Sequence, residues 1–213
     1  MTLASGLRAT RFGASLSLCA ALAFFASCAS RPPAEYVPPR LDLARYEALG
    51  IAEFSADRKS ELGGLATEEF VASVHAAQPG TPVLELGPLA GRGKVAPEAI
   101  RELAAREHLS AIFVGEVSES ESKPRVAFDP SYGTASASAE RKAKITVRLL
   151  DGASGATVWS ATSERSIPVV ALDGSLRGLS SVRTTPADEA RAILVRDLVS
   201  DVTFDLRPQW VQR

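Results

Sequence analysis

The chain has 213 residues, 24 Lys and Arg against 25 Asp and Glu, and a formal net charge of −1. So even a balance provides no basic field for counterion release, which argues against sequence-independent nucleic-acid binding. Hydrophobic residues at 46% and charged residues at 23% exclude a wholly disordered chain and fit one globular domain with a real core, and the absence of asparagine excludes N-linked glycosylation.

At the amino terminus, Arg8 and Arg11 form a positive segment with no acidic residue, and Phe12 to Phe25 follow as an apolar run. This is the grammar of a secretory signal, and the run falls short of the roughly 20 apolar residues of a membrane-spanning helix. Small Ala26 and Ser27 precede Cys28, so cleavage is expected between Ser27 and Cys28. The stretch resembles the lipobox of bacterial lipoproteins, with Phe25 where leucine is usual. The resemblance implies a diacylglyceryl thioether on Cys28 and an acyl chain such as palmitate on its freed amine. Three chains anchor firmly where one binds reversibly. Cys19 lies in the discarded run, so the mature chain is expected to hold one cysteine and no internal disulfide. Ala29 stands where an aspartate retains lipoproteins in the inner membrane of enteric bacteria. The expected address is therefore the outer membrane, facing the periplasm.

Residues 28–45 contain Pro32-Pro33 and Pro38-Pro39 and are expected to form an extended tether. A single α/β domain is expected over residues 46–213. Its first strand is Ala48 to Phe54. Leu62, Ala66, Phe70 and Val74 then recur every fourth residue, which predicts a helix over Ser60 to Ala77. Pro82 to Gly87 reads as a second strand, Pro97 opens a second helix with Ile100, Leu103 and Ala104 inward, and Ala111 to Val117 reads as a third strand. Two crossovers of helical length imply parallel pairing of these strands. Between Ala139 and Leu150 the period changes to two, with Ala143, Ile145, Val147 and Leu149 on one face. Asp151 to Gly155 supplies turn residues and Ala156 to Thr162 returns, predicting a hairpin. A last helix is expected from Thr185 as N-cap towards Leu206, with the stripe Arg191, Val195, Leu198 and Val202. Ser118 to Ser138 and Ser166 to Thr184 read as loops or extended hairpin tips. The expected order is β-α-β-α-β-β-β-α, a mixed sheet with helices packed on it.

Candidate chemistry is sparse. Gly87 to Val95 lies between a strand and a helix as a phosphate loop would, but Val95 replaces the Ser or Thr that a Walker A loop needs after its lysine. His75 and His108 fall in different predicted helices, with no cysteine or paired carboxylate at metal-ligand spacing. Ser154 sits between glycines in a hairpin turn, without the strand-to-helix elbow of a hydrolase nucleophile. Glu116, Glu119 and Glu121 leave the third strand and read as a solvated strand end more readily than as an acid and base pair. Trp159 is expected to pack on the helices, and Trp210 to be partly exposed. No catalytic, cofactor or metal site is assigned.

Three stretches carry a resemblance: Gly50 to Phe54, Ala111 to Val117, and Leu149 to Trp159 with its Asp-Gly-Ala-Ser-Gly turn. Over roughly Tyr46 to Leu206 the chain resembles a bacterial lipoprotein superfamily. That group includes the curli-secretion channel lipoprotein, the penicillin-binding-protein activator lipoprotein and the amino-terminal domain of the Tol translocation protein. The resemblance implies a periplasmic interaction domain that binds other envelope proteins or assembles rings. The resulting expectation is a lipid-anchored, non-enzymatic module with an envelope protein as partner. An oligomeric secretion or assembly component and an envelope hydrolase stand as alternatives. Neither loop segment shows the sustained alternation of a membrane-inserting hairpin.

Overall fold

The computed structural model describes residues 34–56, 61–89, 95–121, 125–129, 131–175 and 178–212. The expected signal peptide, the expected cleavage position between Ser27 and Cys28, and the expected lipid site Cys28 lie outside the described residues. The chain divides into a small unit formed from both ends and a large unit over Pro38–Pro208. In the small unit β1 (Glu35–Val37) pairs antiparallel with β10 (Gln209–Val211), setting Tyr36 opposite Trp210.

The large unit runs β2 (Leu49–Glu53), β3 (Ser55–Ala56), α1 (Leu62–Ala77), β4 (Val83–Pro88), α2 (Pro97–Glu107), β5 (Ala111–Glu121), β6 (Arg125–Asp129), β7 (Thr134–Asp151), β8 (Thr157–Ser175), β9 (Gly178–Thr184), α3 (Ala187–Val202) and a 3-10 turn over Phe204–Leu206. The sheet order is β4-β2-β5-β7-β8-β9. β2 lies parallel to both β4 and β5, and the pairs from β5 to β9 are antiparallel. This is the expected mixed α/β arrangement, including the hairpin at Asp151, with further strands where loops or extended hairpin tips were expected.

The period of two along each strand divides the core. Ile51, Phe113, Val117, Ile145, Val147 and Leu149 face α1 and α3, and pack on Phe70, Val74, Leu194 and Leu198. Ala52, Ile112, Val114 and Leu150 face the other way and pack on Ile100 and Ala104 of α2. Strands covered on both faces read as near-continuous apolar runs, as Ala111 to Val114 does. Phe54 closes the end of β2 against this core. A Cβ on Gly115 would stand 2.5 Å from the Phe54 ring, so only glycine admits that ring. Thr67 of α1 accepts a 2.8 Å hydrogen bond from the Phe54 amide and donates one to the Gly63 carbonyl, fastening helix to strand.

The packed unit begins earlier than the expected start at Tyr46. Leu41 and Leu43, assigned above to the tether, are buried in the core beside Leu206. Gln78 holds them there: its side-chain oxygen accepts from the Leu43 amide at 2.7 Å, and its nitrogen donates to the carbonyls of Leu41 and Leu206. The prolines on either side had masked the apolar alternation of Leu41-Asp42-Leu43. At the other end, Thr185 is not the cap of α3. Its amide donates to the Val169 carbonyl as a sheet group, and Pro186 is the capping residue.

Candidate interaction surface

The segments expected to be loops or extended hairpin tips are strands of one long ribbon. β7 and β8 extend past the helices to Thr134 and Ser175. β6 continues the place of β5 beside β7, and β9 flanks β8. Pro168 is accommodated at the bulge where Ala139 pairs with Val170 and Glu140 with Pro168, a position that spares the ladder an amide.

Residues directly opposite in antiparallel pairs share a face. Val126, Ala137, Leu172 and Val182 are successive partners and so form a row across four strands, with Phe128 opposite Ala135 in the next row. Arg125, Asp129, Ser136, Ser138 and Arg183 take the opposite face by the same register. Because β7 alternates without interruption, its Ala135, Ala137 and Ala139 lie on the face that carries Ala143, Ile145, Val147 and Leu149 into the core. The helix-covered core face thus continues outward as a solvent-facing apolar surface: Phe128 is 61% exposed and Val126 75%.

An ionic cluster marks where cover ends. Glu119 of β5 pairs with Arg141 of β7 and, at 3.5 Å, with Arg191 of α3. The Glu119 and Arg141 side chains are only 12% and 9% exposed. Glu119 is therefore not the solvated strand end expected from the sequence, whereas Glu116 is exposed. A carboxylate held between two guanidiniums offsets one of their two charges and fastens the first turns of α3 to the root of the ribbon. The side chain of Glu121 lies outside the described residues.

Nearer the opposite end of α3, Arg165 grips Asp201 with two hydrogen bonds of 2.7 and 2.8 Å, and Ser163 donates a third of 2.6 Å. The Arg165 bond, helped by Ser163, holds the Asp201 carboxyl below the usual carboxylate range against the opposing effect of burial. Trp159 packs edge-on to Phe113 and donates to Asp205, as expected of a residue against the helix layer.

The other flagged residues are placed as structural features. Asp151 accepts from the Ser154 hydroxyl at 2.6 Å and from its amide at 2.8 Å, and these bonds lower its pKa. Gly155 has a φ of +70° and lies against Pro97, where a Cβ would stand 2.6 Å from the Pro97 carbonyl oxygen. The Asp-Gly-Ala-Ser-Gly stretch is thus the turn that seats the start of α2. His75 is exposed in the last turn of α1, and His108 is the left-handed C-cap of α2. Residues 90–94 of the Gly87 to Val95 segment lie outside the described residues. Among the described residues no group of three or more His, Cys, Asp or Glu could hold a metal, and no helix is long and apolar enough to cross a membrane. An open groove of about 610 Å³ runs along Ala72, Ser73 and Ala76 between Glu69 and Arg207. Arg207 is already engaged by Thr203 and Ser200.

The ribbon answers to the second of the two expected readings, extended hairpin tips, with strand limits that the sequence left open. The signal was present as Thr134-Ala135-Ser136-Ala137-Ser138-Ala139, a strict alternation in which alanine and serine differ too little in hydropathy to register.

No family model matches the chain, and no curated protein matches it. Solved structures of similar shape include a PelC dodecamer variant from Paraburkholderia phytofirmans, at 18% identity and a TM-score of 0.46, covering 83% of this chain and 99% of that one. Lipoprotein GNA1162 from Neisseria meningitidis is similar at 12% identity and a TM-score of 0.38, over 57% of this chain and 83% of its own. The LpoB C-terminal domain from Salmonella enterica is similar at 9% identity and a TM-score of 0.35, over 56% and 83% respectively.

Proposed function

We propose that this chain is a lipid-anchored, non-enzymatic module of the bacterial cell envelope that binds another envelope protein through the apolar face of its ribbon. The observation that carries this reading is the row Val126, Ala137, Leu172 and Val182 with Phe128 beside it, in which Val126, Val182 and Phe128 are exposed and Ala137 and Leu172 half-buried on hydrogen-bonded strands. Exposed aromatic and aliphatic side chains on a preformed scaffold lose little freedom on binding, which suits them to anchor a partner.

The chain's entry into the large unit and the apolar row sit apart. The chain enters the large unit where the Leu41 amide donates to the Asp205 carbonyl, beside Trp159. Leu172 lies thirteen residues further along β8 than Trp159, roughly 43 Å at about 3.3 Å per residue. Within the large unit the apolar row therefore lies far from the point where the chain enters. The same placement supports a role without chemistry: Glu119, the best-placed carboxylate of the acidic run, is committed to two arginines.

A second copy of this chain is the rival occupant, favoured by the position of β9 as the last strand of its sheet. A photo-crosslinking amino acid in place of Phe128, in cells making the full chain, tests the proposal. Adducts with another envelope protein, absent when Arg183 on the opposite face is replaced instead, are expected. Adducts with a second copy alone would establish the oligomeric reading, and no adduct from either position would overturn partner binding through this face. Cys28→Ser separately tests the anchor: the variant should fractionate as a soluble, folded periplasmic protein. Unaltered membrane fractionation would refute attachment through that residue.

A further inference from the structure

We infer that the small unit is a second membrane contact, an aromatic clasp that lies in the headgroup layer of the bilayer holding the lipid anchor. The inference rests on lipidation at Cys28, and it concerns residues that neither the ribbon nor the core employs. Tyr36 on β1 and Trp210 on β10 are directly paired in register, so both rings project from one face of the two-stranded sheet. Their centroids are 5.2 Å apart in an edge-to-face arrangement. Packed on each other, they remain 52% and 67% exposed, as the two largest side chains of a six-residue sheet that also exposes Val37 and Val211.

The occupant follows from distance. Glu35 lies seven residues beyond Cys28, so the chain between them spans at most about 25 Å when fully extended, at roughly 3.5 Å per residue. Any protein attached to a membrane through Cys28 keeps Tyr36 within that range of the headgroups at all times. A weak contact held so close behaves as an intramolecular one, with an effective concentration set by the short linker. Tyr and Trp are the side chains suited to such a place: each has an apolar body and one polar group, and both are enriched where hydrocarbon meets water. Pairing between the segment leading from the anchor and the carboxy-terminal strand brings both rings to a single contact. Neither strand alone would hold them together, since an isolated two-stranded ribbon is marginal in water. Bedding the rings in the interface would steady the clasp and shorten the free tether. The contact thus helps retain the protein at the bilayer.

The test uses the full lipidated chain with Trp159→Phe, so that Trp210 is the only tryptophan. It is reconstituted in vesicles of phosphatidylethanolamine and phosphatidylglycerol, with and without lipid brominated in the upper acyl chain. Intact mass establishes acylation first. In acylated protein, brominated lipid should at least halve Trp210 emission, while a Trp210→Phe chain retaining Trp159 should show no loss. Tyr36→Ala should weaken the quenching without altering acylation. Undiminished Trp210 emission in acylated protein would overturn the clasp while leaving the anchor intact. Absence of the acyl mass would instead refute the anchor, and this inference with it.

Discussion

Two stretches of β7 follow one alternation and meet different surroundings. From Ala143 to Leu149 every second residue is buried beneath α1 and α3; from Ala135 to Ala139 the same face emerges half-covered or exposed. The strand itself does not change at the boundary. What changes is the cover, which the Glu119, Arg141 and Arg191 cluster terminates. A period of two specifies a face, and separate elements must supply its lid. Over the ribbon the order of the backbone comes from strand pairing, whereas over the core it comes from strand pairing and side-chain interdigitation together. The core half should therefore dominate stability and the ribbon half dominate recognition.

The sharpest way to break that division is to truncate one aromatic in each half. Phe113→Ala removes a fully buried ring that touches both Phe70 and Trp159, and should cost about 3–5 kcal/mol in equilibrium urea unfolding. Phe128→Ala should change stability by no more than about 0.5 kcal/mol while weakening the adducts formed when the photo-crosslinking amino acid is placed at Val126 on the same face. Comparable losses from both would show that the ribbon face is part of the core after all. The boundary cluster should lie between these extremes. Glu119→Gln removes the carboxylate from the buried side of Arg141 while Arg191 keeps solvent and Asp188, and a loss of about 1–3 kcal/mol is expected. Asp188, which lies 3.5 Å from Arg191 and is almost wholly exposed, serves as the internal control, since Asp188→Asn should alter stability by about 0.5 kcal/mol or less.

The same contrast explains what could be read before the structure was known. The β2 to β5 region announces itself because its strands carry Ile, Val, Leu and Phe, and because Leu62, Ala66, Phe70 and Val74 hold the period of a helix. The hairpin at Asp151 is equally legible, since turn residues separate two runs of β-branched residues. The strand limits of the ribbon are not, because its inward residues on β7 are alanines, its outward ones serines, and Val126 and Phe128 occupy a run of only five. Pro168 also argued against a strand, and only the bulge at Ala139 reconciles it with one. Long-range pairing escaped for a different reason. Nothing local to Glu119 reveals Arg191, which lies 72 positions on and was legible only as an odd charged member of an apolar stripe. Leu41 and Leu43 were obscured by the prolines beside them, whose local preference says nothing of a glutamine 35 residues away.

The smallest expected effect concerns pH and separates surface pairing from both halves. Asp201 has its carboxyl held below its ordinary value of 3.8, chiefly by the Arg165 hydrogen bonds. An unfolded chain returns that carboxyl to its ordinary value, so between the two values the unfolded state binds more protons than the folded one. Stability from this group is therefore fully present above about pH 4, and is lost as pH falls through the folded value. The urea midpoint should drop on going from about pH 5 to about pH 3, and Asp201→Asn should flatten part of that drop while leaving the midpoint near neutrality only slightly lower. Asp151 is lowered through Ser154 in the same sense and supplies a second, independent share. Asp201→Asn combined with Asp151→Asn should accordingly be flatter than either alone. Added salt should shrink the Asp201 share more than the Asp151 share, because the first depends on an exposed guanidinium and the second on a neutral hydroxyl and amide. An acid transition unchanged by both substitutions would refute a share from either carboxylate.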